Sequence, residues 1–284
     1  MSVYTINGDV VNTLYDKNGS TINQAYDING HVVYQPTASS IRVATYNVGG
    51  WYIGSGTNVP TEKKTAYIAL QQSILSAVEA DIVCFQEYWN AFCADGTTAD
   101  SVIGQYFTQQ EKTNADTTWN GHVTASNGIV LNDYESIRFV NYYSTAPGYE
   151  KCYIDVGGKT VCIINTHLST AAGGKKEPQS QEIFDAVQNE PYFIIMGDFN
   201  TEVSDYDAIV KKFVDAGYHS VNLNGTDHHF STFYASAGIG KPTDQIITSA
   251  NITISDAYVN TLKLTDGLGD KIDHIPLVAD LVIN

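Results

Sequence analysis

The stretch Tyr192-Phe193-Ile194-Ile195-Met196-Gly197-Asp198-Phe199-Asn200 constrains this chain more than any other. Its apolar part has the length of a buried strand and follows a helix-like segment. Gly197 is expected to let the chain turn sharply where the strand ends. Asp198 and Asn200 then emerge just past it, one an acceptor, the other both donor and acceptor. Strand ends that open into loops are where α/β proteins place chemistry, although an Asx-type turn closing a strand has the same sequence.

The same pattern recurs along the chain. Ile41-Arg42-Val43-Ala44-Thr45-Tyr46-Asn47-Val48 alternates as a strand and carries Asn47 at its end. Apolar residues at 3–4 spacing from Ala66 to Val78 predict a helix over 61–79. Asp81-Ile82-Val83-Cys84-Phe85-Gln86-Glu87 is another buried strand, closing on a carboxylate. Residues 90–121 read as helix and loop. Strands are predicted at 122–131, 137–144, 150–156 and 160–168, the last ending Asn165-Thr166-His167-Leu168. A helix is predicted to start near Pro178, which suits a first helical position. Ser204 and Asp207 have the spacing of a capping box, with Gly217 as a stop. Asp244-Gln245-Ile246-Ile247 opens a strand, and Ile272-Asp273-His274-Ile275-Pro276-Leu277-Val278 opens the last one. This strand–helix alternation, with several hairpins, predicts an α/β domain of mixed sheets over residues 37–284.

Residues 1–36 are different. Tyr4, Tyr15 and Tyr26 lie 11 apart, each followed at one offset by Asn-Gly (7–8, 18–19, 29–30). Asn-Gly is a strong hairpin-turn signal because both residues tolerate positive φ. A three-unit β-ribbon is predicted, serving either as an attachment module to another protein or assembly or as a cap on the main domain. Its Tyr/Asn-Gly units resemble those of phage structural and bacterial surface proteins. Gln35 to Ser40 reads as the linker.

The net charge of −16 argues against non-specific binding to nucleic acid or anionic membranes through bulk charge. It leaves a metal-using nuclease open, since a divalent cation supplies local positive charge. No apolar run approaches membrane-spanning length, and Met1 to Ile6 lacks the features of a signal peptide, so a soluble protein is expected, with its compartment left open between cytoplasmic, phage-associated and others. The spacings of Cys84, Cys93, Cys152 and Cys162 fit no zinc motif. Cys84 reads as a buried thiol. Cys152 and Cys162 flank a turn at Gly157-Gly158; a two-residue turn would pair Cys152 with Ile163, so a disulfide needs a different turn or a bulge.

Collected together, the strand-end residues are Asn47, Glu87, His167, Asp198, Asn200, Asp244, Asp273 and His274. If the strands lie side by side, one rim gathers them, and the set suits phosphate-ester hydrolysis. Glu87 offers a hard oxygen to Mg²⁺, which polarises a phosphoryl group. Asp198 is able to orient or deprotonate water, the histidines to donate to phosphate oxygens, and Asp244 to orient His274. Taken singly, each has a structural reading as a turn former, a loop acid or a satisfied histidine.

In order along residues 41–284, these segments resemble the endonuclease/exonuclease/phosphatase superfamily, the deoxyribonuclease-I-like fold. The carriers are Thr45-Tyr46-Asn47, Asp81-Ile82 to Gln86-Glu87, Asn165-Thr166-His167-Leu168, Gly197-Asp198-Phe199-Asn200, Asp244-Gln245-Ile246 and Asp273-His274-Ile275-Pro276. The resemblance implies a four-layer α/β sandwich, two packed mixed sheets flanked by helices. It implies a divalent-metal phosphoesterase using Mg²⁺ or Mn²⁺, with Ca²⁺ a further candidate. It assigns Glu87 to the metal with Asn47 and Asp273 beside it, Asp198 and Asn200 to water and phosphate, and His167 and His274 to phosphate, with Asp244 orienting His274.

An endonuclease on DNA or RNA is the first expectation for substrate. Lys175 and Lys176 follow His167 in a loop placed to meet a phosphate backbone, or form a solvated turn. Trp51, Tyr52, Tyr88 and Trp89 follow site strands, placed to stack on bases or to pack. His228-His229 reads as a loop pair. Only Arg42 and Arg138 are arginines, which weakens a duplex-groove reading. A phosphatase or lipid phosphodiesterase of the same superfamily is the alternative, and a non-catalytic structural or binding protein the third reading.

Overall fold

The computed structural model describes residues 14–15, 21–22, 25–26, 32–34, 40–49, 61–88, 98–113, 121–143, 146–170, 174–202, 204–221, 232–234, 240–259 and 274–284. In the repeat region β1 (Leu14–Tyr15) pairs antiparallel with β2 (Thr21–Ile22), and β3 (Ala25–Tyr26) with β4 (Val32–Tyr34). The first pair brackets Asn18-Gly19 and the second Asn29-Gly30, the places where hairpin turns are predicted. The first repeat unit and the linker core lie outside the described residues.

Two six-stranded mixed sheets make up the rest. The elements of the first are β5 (Ser40–Asn47), β6 (Ile82–Tyr88), β7 (Gln109–Thr113), β8 (Gly121–Ser126), β17 (Ile252–Val259) and β18 (Leu277–Ile283). Those of the second are β9 (Asn132–Tyr143), β10 (Ala146–Val156), β11 (Lys159–His167), β12 (Phe193–Asp198), β13 (His219–Ser220) and β16 (Asp244–Thr248). Between them in the chain come α1 (Thr61–Val78), α2 (Ala99–Ile103), α3 (Lys176–Val187), α4 (Tyr206–Ile209), α5 (Lys211–Asp215) and a short pair, β14 (Phe233–Tyr234) with β15 (Gly240–Lys241). The spatial orders are β17-β18-β5-β6-β8-β7 and β13-β16-β12-β11-β10-β9.

Each sheet has one parallel pair at its centre, β5 with β6 and β11 with β12, joined through α1 and α3. A parallel neighbour needs such a crossover. Side chains alternate with period two, which sorts the apolar residues into layers. Ile41, Val43, Ile82, Cys84, Val161, Ile163, Ile194 and Met196 fill the space between the sheets. Ala44, Tyr46, Val83 and Phe85 face α1 and α2. Cys162, Ile164, Phe193 and Ile195 face α3 to α5. The result is the expected helix–sheet–sheet–helix sandwich.

This topology sets the rim. β5, β6, β11 and β12 all finish at one end, and the antiparallel β16 and β18 begin there: Asp198 pairs with Asp244, and Thr45 with Leu277.

Several local expectations are corrected. Residues 109–113, expected within helix and loop, form edge strand β7 against β8; its Gln-Gln-Glu-Lys-Thr sequence has no apolar alternation because both faces are part-exposed. Ser204 caps nothing: α4 starts at Tyr206 from Asp205, whose carboxylate accepts from Glu202 N–H (2.7 Å) rather than from its own helix. α3 starts at Lys176, placing Pro178 inside the first turn, where no N–H is required. The two-residue turn does form, pairing Cys152 with Ile163. Cys152 therefore points between the sheets and Cys162 toward the helices, and both are free buried thiols, as is Cys84.

Candidate active site

Asn47, Glu87, His167, Asp198, Asn200, Asp244 and His274 meet at that rim. Asp273 and Trp89 lie outside the described residues, as do Trp51, Tyr52, Cys93 and His228-His229.

Asp198 is the hub. It is buried at the end of β12, and its Oδ2 accepts from Asn47 Nδ2 (2.9 Å). Its Oδ1 accepts from the Asn200 N–H (2.7 Å). Oδ2 also lies 3.5 Å from His274 Nε2 and 3.6 Å from His167 Nε2. Burial pushes this carboxyl up, but the two imidazoles and the two donors outweigh it and hold the group below its ordinary value, as a carboxylate.

His274 is anchored from behind. Its Nδ1 is 2.8 Å from Asp244 Oδ2, and both residues are buried. Asp244 also accepts from Thr243 Oγ1 (3.1 Å). Burial pushes the Asp244 carboxyl up, opposed by His274. A carboxylate behind imidazole fixes ring orientation and raises its basicity. On the other flank, Asn200 sits at φ 50°, a left-handed conformation that asparagine tolerates. Its Nδ2 reaches His167 Nε2 (3.0 Å) and donates to Leu168 O (2.8 Å).

Glu87 closes the group. β6 pairs Phe85 with Val123 and next Tyr88 with Gly121, so three steps on β6 match two on β8, a bulge. Glu87 sits in it at φ 50°, with its carboxylate a quarter exposed, 3.9 Å from His167 Nε2. Asn47 bridges the two acids, its Nδ2 also donating to Glu87 Oε1 (3.2 Å) while its Oδ1 accepts from Gly49 N–H (3.0 Å). The donor set fits a hard divalent cation at Glu87: an accessible carboxylate oxygen at the rim. Asp198, Asp244 and His274 also offer atoms within 4.8 Å of one another. That triad is buried and internally hydrogen-bonded, which suits proton handling better.

Other expectations land elsewhere. Gly197 stays within β12, and a Cβ there would lie 2.0 Å from Thr166 O, so glycine is needed for close strand approach rather than for a turn. Lys176 is buried, its ammonium held by Asn200 O and Asp205 Oδ2, so it braces the turn. Lys175 is exposed at the start of α3. Tyr88 packs in the core beside Phe85 and donates its hydroxyl to Asp100 (2.8 Å), so it is not a base-stacking group. Sequence reasoning passed over His122, buried at the start of β8 near His167, because nothing marks an isolated histidine in a strand.

No protein-family model matches the chain, and no curated protein matches it in sequence. Solved structures do. Humanized D. rerio TDP2 superposes with a TM-score of 0.66 at 15% identity, covering 86% of this chain and 99% of that one. The human Nocturnin catalytic domain with bound sulfate gives 0.63 at 18%, covering 86% and 94%. An endonuclease/exonuclease/phosphatase family protein from Bacteroides thetaiotaomicron gives 0.62 at 14%, covering 88% and 100%. The chain has the endonuclease/exonuclease/phosphatase, deoxyribonuclease-I-like fold. Among the described residues no helix is long and apolar enough to cross a membrane.

Proposed function

We propose that this chain is a divalent-metal-dependent phosphodiester hydrolase that cleaves nucleic acid. The observation that carries this is the Asp244–His274–Asp198 line, 2.8 and 3.5 Å, facing Glu87 and Asn47 across one rim. Glu87 is the residue to hold Mg²⁺ or Mn²⁺, with Asp273 next to His274 in sequence, and the ion supplies charge stabilisation at the phosphoryl oxygens. Asp198, kept ionised, accepts a proton from water and aligns it. His274, fixed by Asp244, donates to a phosphate oxygen. His167, held by Asn200 and lying beside Asp198 and Glu87, is the remaining side chain placed to face the same phosphate. D. rerio TDP2 has been solved with a single-strand DNA product, which supports a nucleic-acid substrate for this fold neighbour and, by proposal, for this chain.

One observation favours a smaller phosphoester: Lys176 is committed inside the protein and does not face a phosphate backbone. The test is nicking of supercoiled plasmid with Mg²⁺, with EDTA, and by His274→Ala. Metal-dependent nicking lost in the variant is expected. Folded protein that binds metal and leaves plasmid intact, yet cleaves p-nitrophenyl phosphoesters, would replace nuclease with phosphatase or lipid phosphodiesterase.

A further inference from the structure

Behind the site, a buried polar network crosses from one sheet to the other. Glu150 on β10 and Asn165 on β11 are cross-strand partners. Both are buried, and both project between the sheets. The Asn165 amide reaches Phe85 O (3.2 Å) and Val123 O (3.1 Å), the carbonyls of the last regular pair before the β6 bulge. Its Oδ1 accepts from Gln86 Nε2 (2.9 Å), inside the bulge itself. Gln86 Oε1 in turn accepts from Thr45 Oγ1 (3.2 Å), two residues before Asn47.

Glu150 shares in holding Asn165, whose two amide hydrogens are divided among Phe85 O, Val123 O and this carboxylate. Its Oε2 accepts from Asn165 Nδ2 (3.1 Å) and Thr124 Oγ1 (2.7 Å), and its Oε1 from Tyr134 OH (2.8 Å). A carboxyl so enclosed is costly unless its acceptors are filled, and here three donors fill them. Such an arrangement contributes little to a fold that an apolar pair would not also give. Its place, however, is specific. It braces the bulge that holds Glu87, and it does so from the strand that ends in His167.

We infer that Glu150 is a positioning residue for the proposed site: through Asn165 it holds the β6 bulge that aims Glu87 beside His167. The inference rests on the reading of Glu87 as the metal-holding carboxylate. Supporting partners of this kind are worth about 10–100-fold in metal affinity or activity when lost. Leucine at 150 removes every acceptor. Glutamine keeps an oxygen toward Asn165 and turns its amide to Tyr134, whose hydroxyl accepts, so it restores the bond that matters.

The experiment is calorimetric titration of the full chain with Mn²⁺ alone, for wild type, Glu150→Leu, Glu150→Gln and Glu87→Gln, with circular-dichroism melts as the folding control. Expected are loss of binding in Glu87→Gln, about tenfold weaker binding in Glu150→Leu, and affinity within about threefold of wild type in Glu150→Gln. If Glu150→Leu does not fold, Thr124→Val takes its place: it removes one donor to Glu150 and should weaken binding about tenfold. Wild-type affinity in folded Glu150→Leu or Thr124→Val, with Glu87→Gln still inactive in binding, overturns the positioning role alone. Glu150→Gln as weak as Glu150→Leu also overturns it. Unchanged binding in Glu87→Gln, or none in the wild type, overturns the metal reading and this inference together.

Discussion

Acid should unfold this protein partly through His122. The residue is fully enclosed at the start of β8, and its Nε2 has no hydrogen-bond partner among the described residues. Burial, helped by neighbouring His167, pushes its value from 6.5 down to about 3. The folded state therefore binds fewer protons than the unfolded chain between these limits. Its stabilising contribution is present above pH 6.5 and is lost as pH falls toward 3. At about 1.4 kcal/mol per pH unit, acidification from pH 8 to pH 5 removes about 2 kcal/mol through this one group. That is about a fifth of an ordinary domain's stability, taken as about 10 kcal/mol. Urea unfolding followed by circular dichroism at both pH values, for wild type and His122→Gln, isolates the effect. Asp198, held low, also loses stability in acid, and Glu150, pushed by burial up to about 7, gains it, but both are present in each protein and cancel in the difference. Wild type should lose about 2 kcal/mol more than the variant over this range. Equal losses would refute the buried, neutral assignment of His122.

Other consequences follow from the same geometry. His274→Ala should lower kcat for phosphodiester cleavage by about 10²–10⁴ with KM little changed, because it removes a positioned proton donor, and Asp244→Asn should fall in the same direction, because it removes the carboxylate that orients that donor; steady-state kinetics check this. Gly197→Ala forces a Cβ to 2.0 Å from Thr166 O and should cost about 3 kcal/mol or more in urea unfolding, since neither strand is free to move. Lys176→Met should lower stability by about 1–3 kcal/mol, since it strands Asp205 and the Asn200 carbonyl, whereas Lys175→Ala should leave stability within about 0.5 kcal/mol. If Lys175→Ala also weakens binding of single-stranded oligonucleotide in fluorescence anisotropy, that exposed lysine is the cation the nucleic acid meets.

What the sequence disclosed and what it hid divide along a physical line. Apolar alternation reports which strands are buried, and a polar residue at the end of such a run reports where burial stops. The rim residues Asn47, Glu87, His167, Asp198, Asn200, Asp244 and His274 are therefore legible in the sequence, while Asp273 lies outside the described residues. β7 was not, because an edge strand with two half-wet faces has no period to read. Lys176 was misread for a related reason. Its position beside exposed Lys175 makes a charged dipeptide look like surface, and only the path of the Gly197–Asn200 turn reveals a carbonyl and a carboxylate waiting above it. Glu150 is the strongest case. Period two along residues 150–156 puts Glu150 on the inward face with Cys152, Ile154 and Val156, where a carboxylate looks out of place, while Tyr149 and Tyr153 pack toward the helices. A lone sequence position cannot show that an opposing strand carries an asparagine able to satisfy it. The pairing of Glu150 with Asn165 supplies that information, and Asn165 belongs to a segment already marked for its histidine. Polar residues gathered at the rim are thus readable from strand ends, while those that pack behind them become readable only once strand register is known.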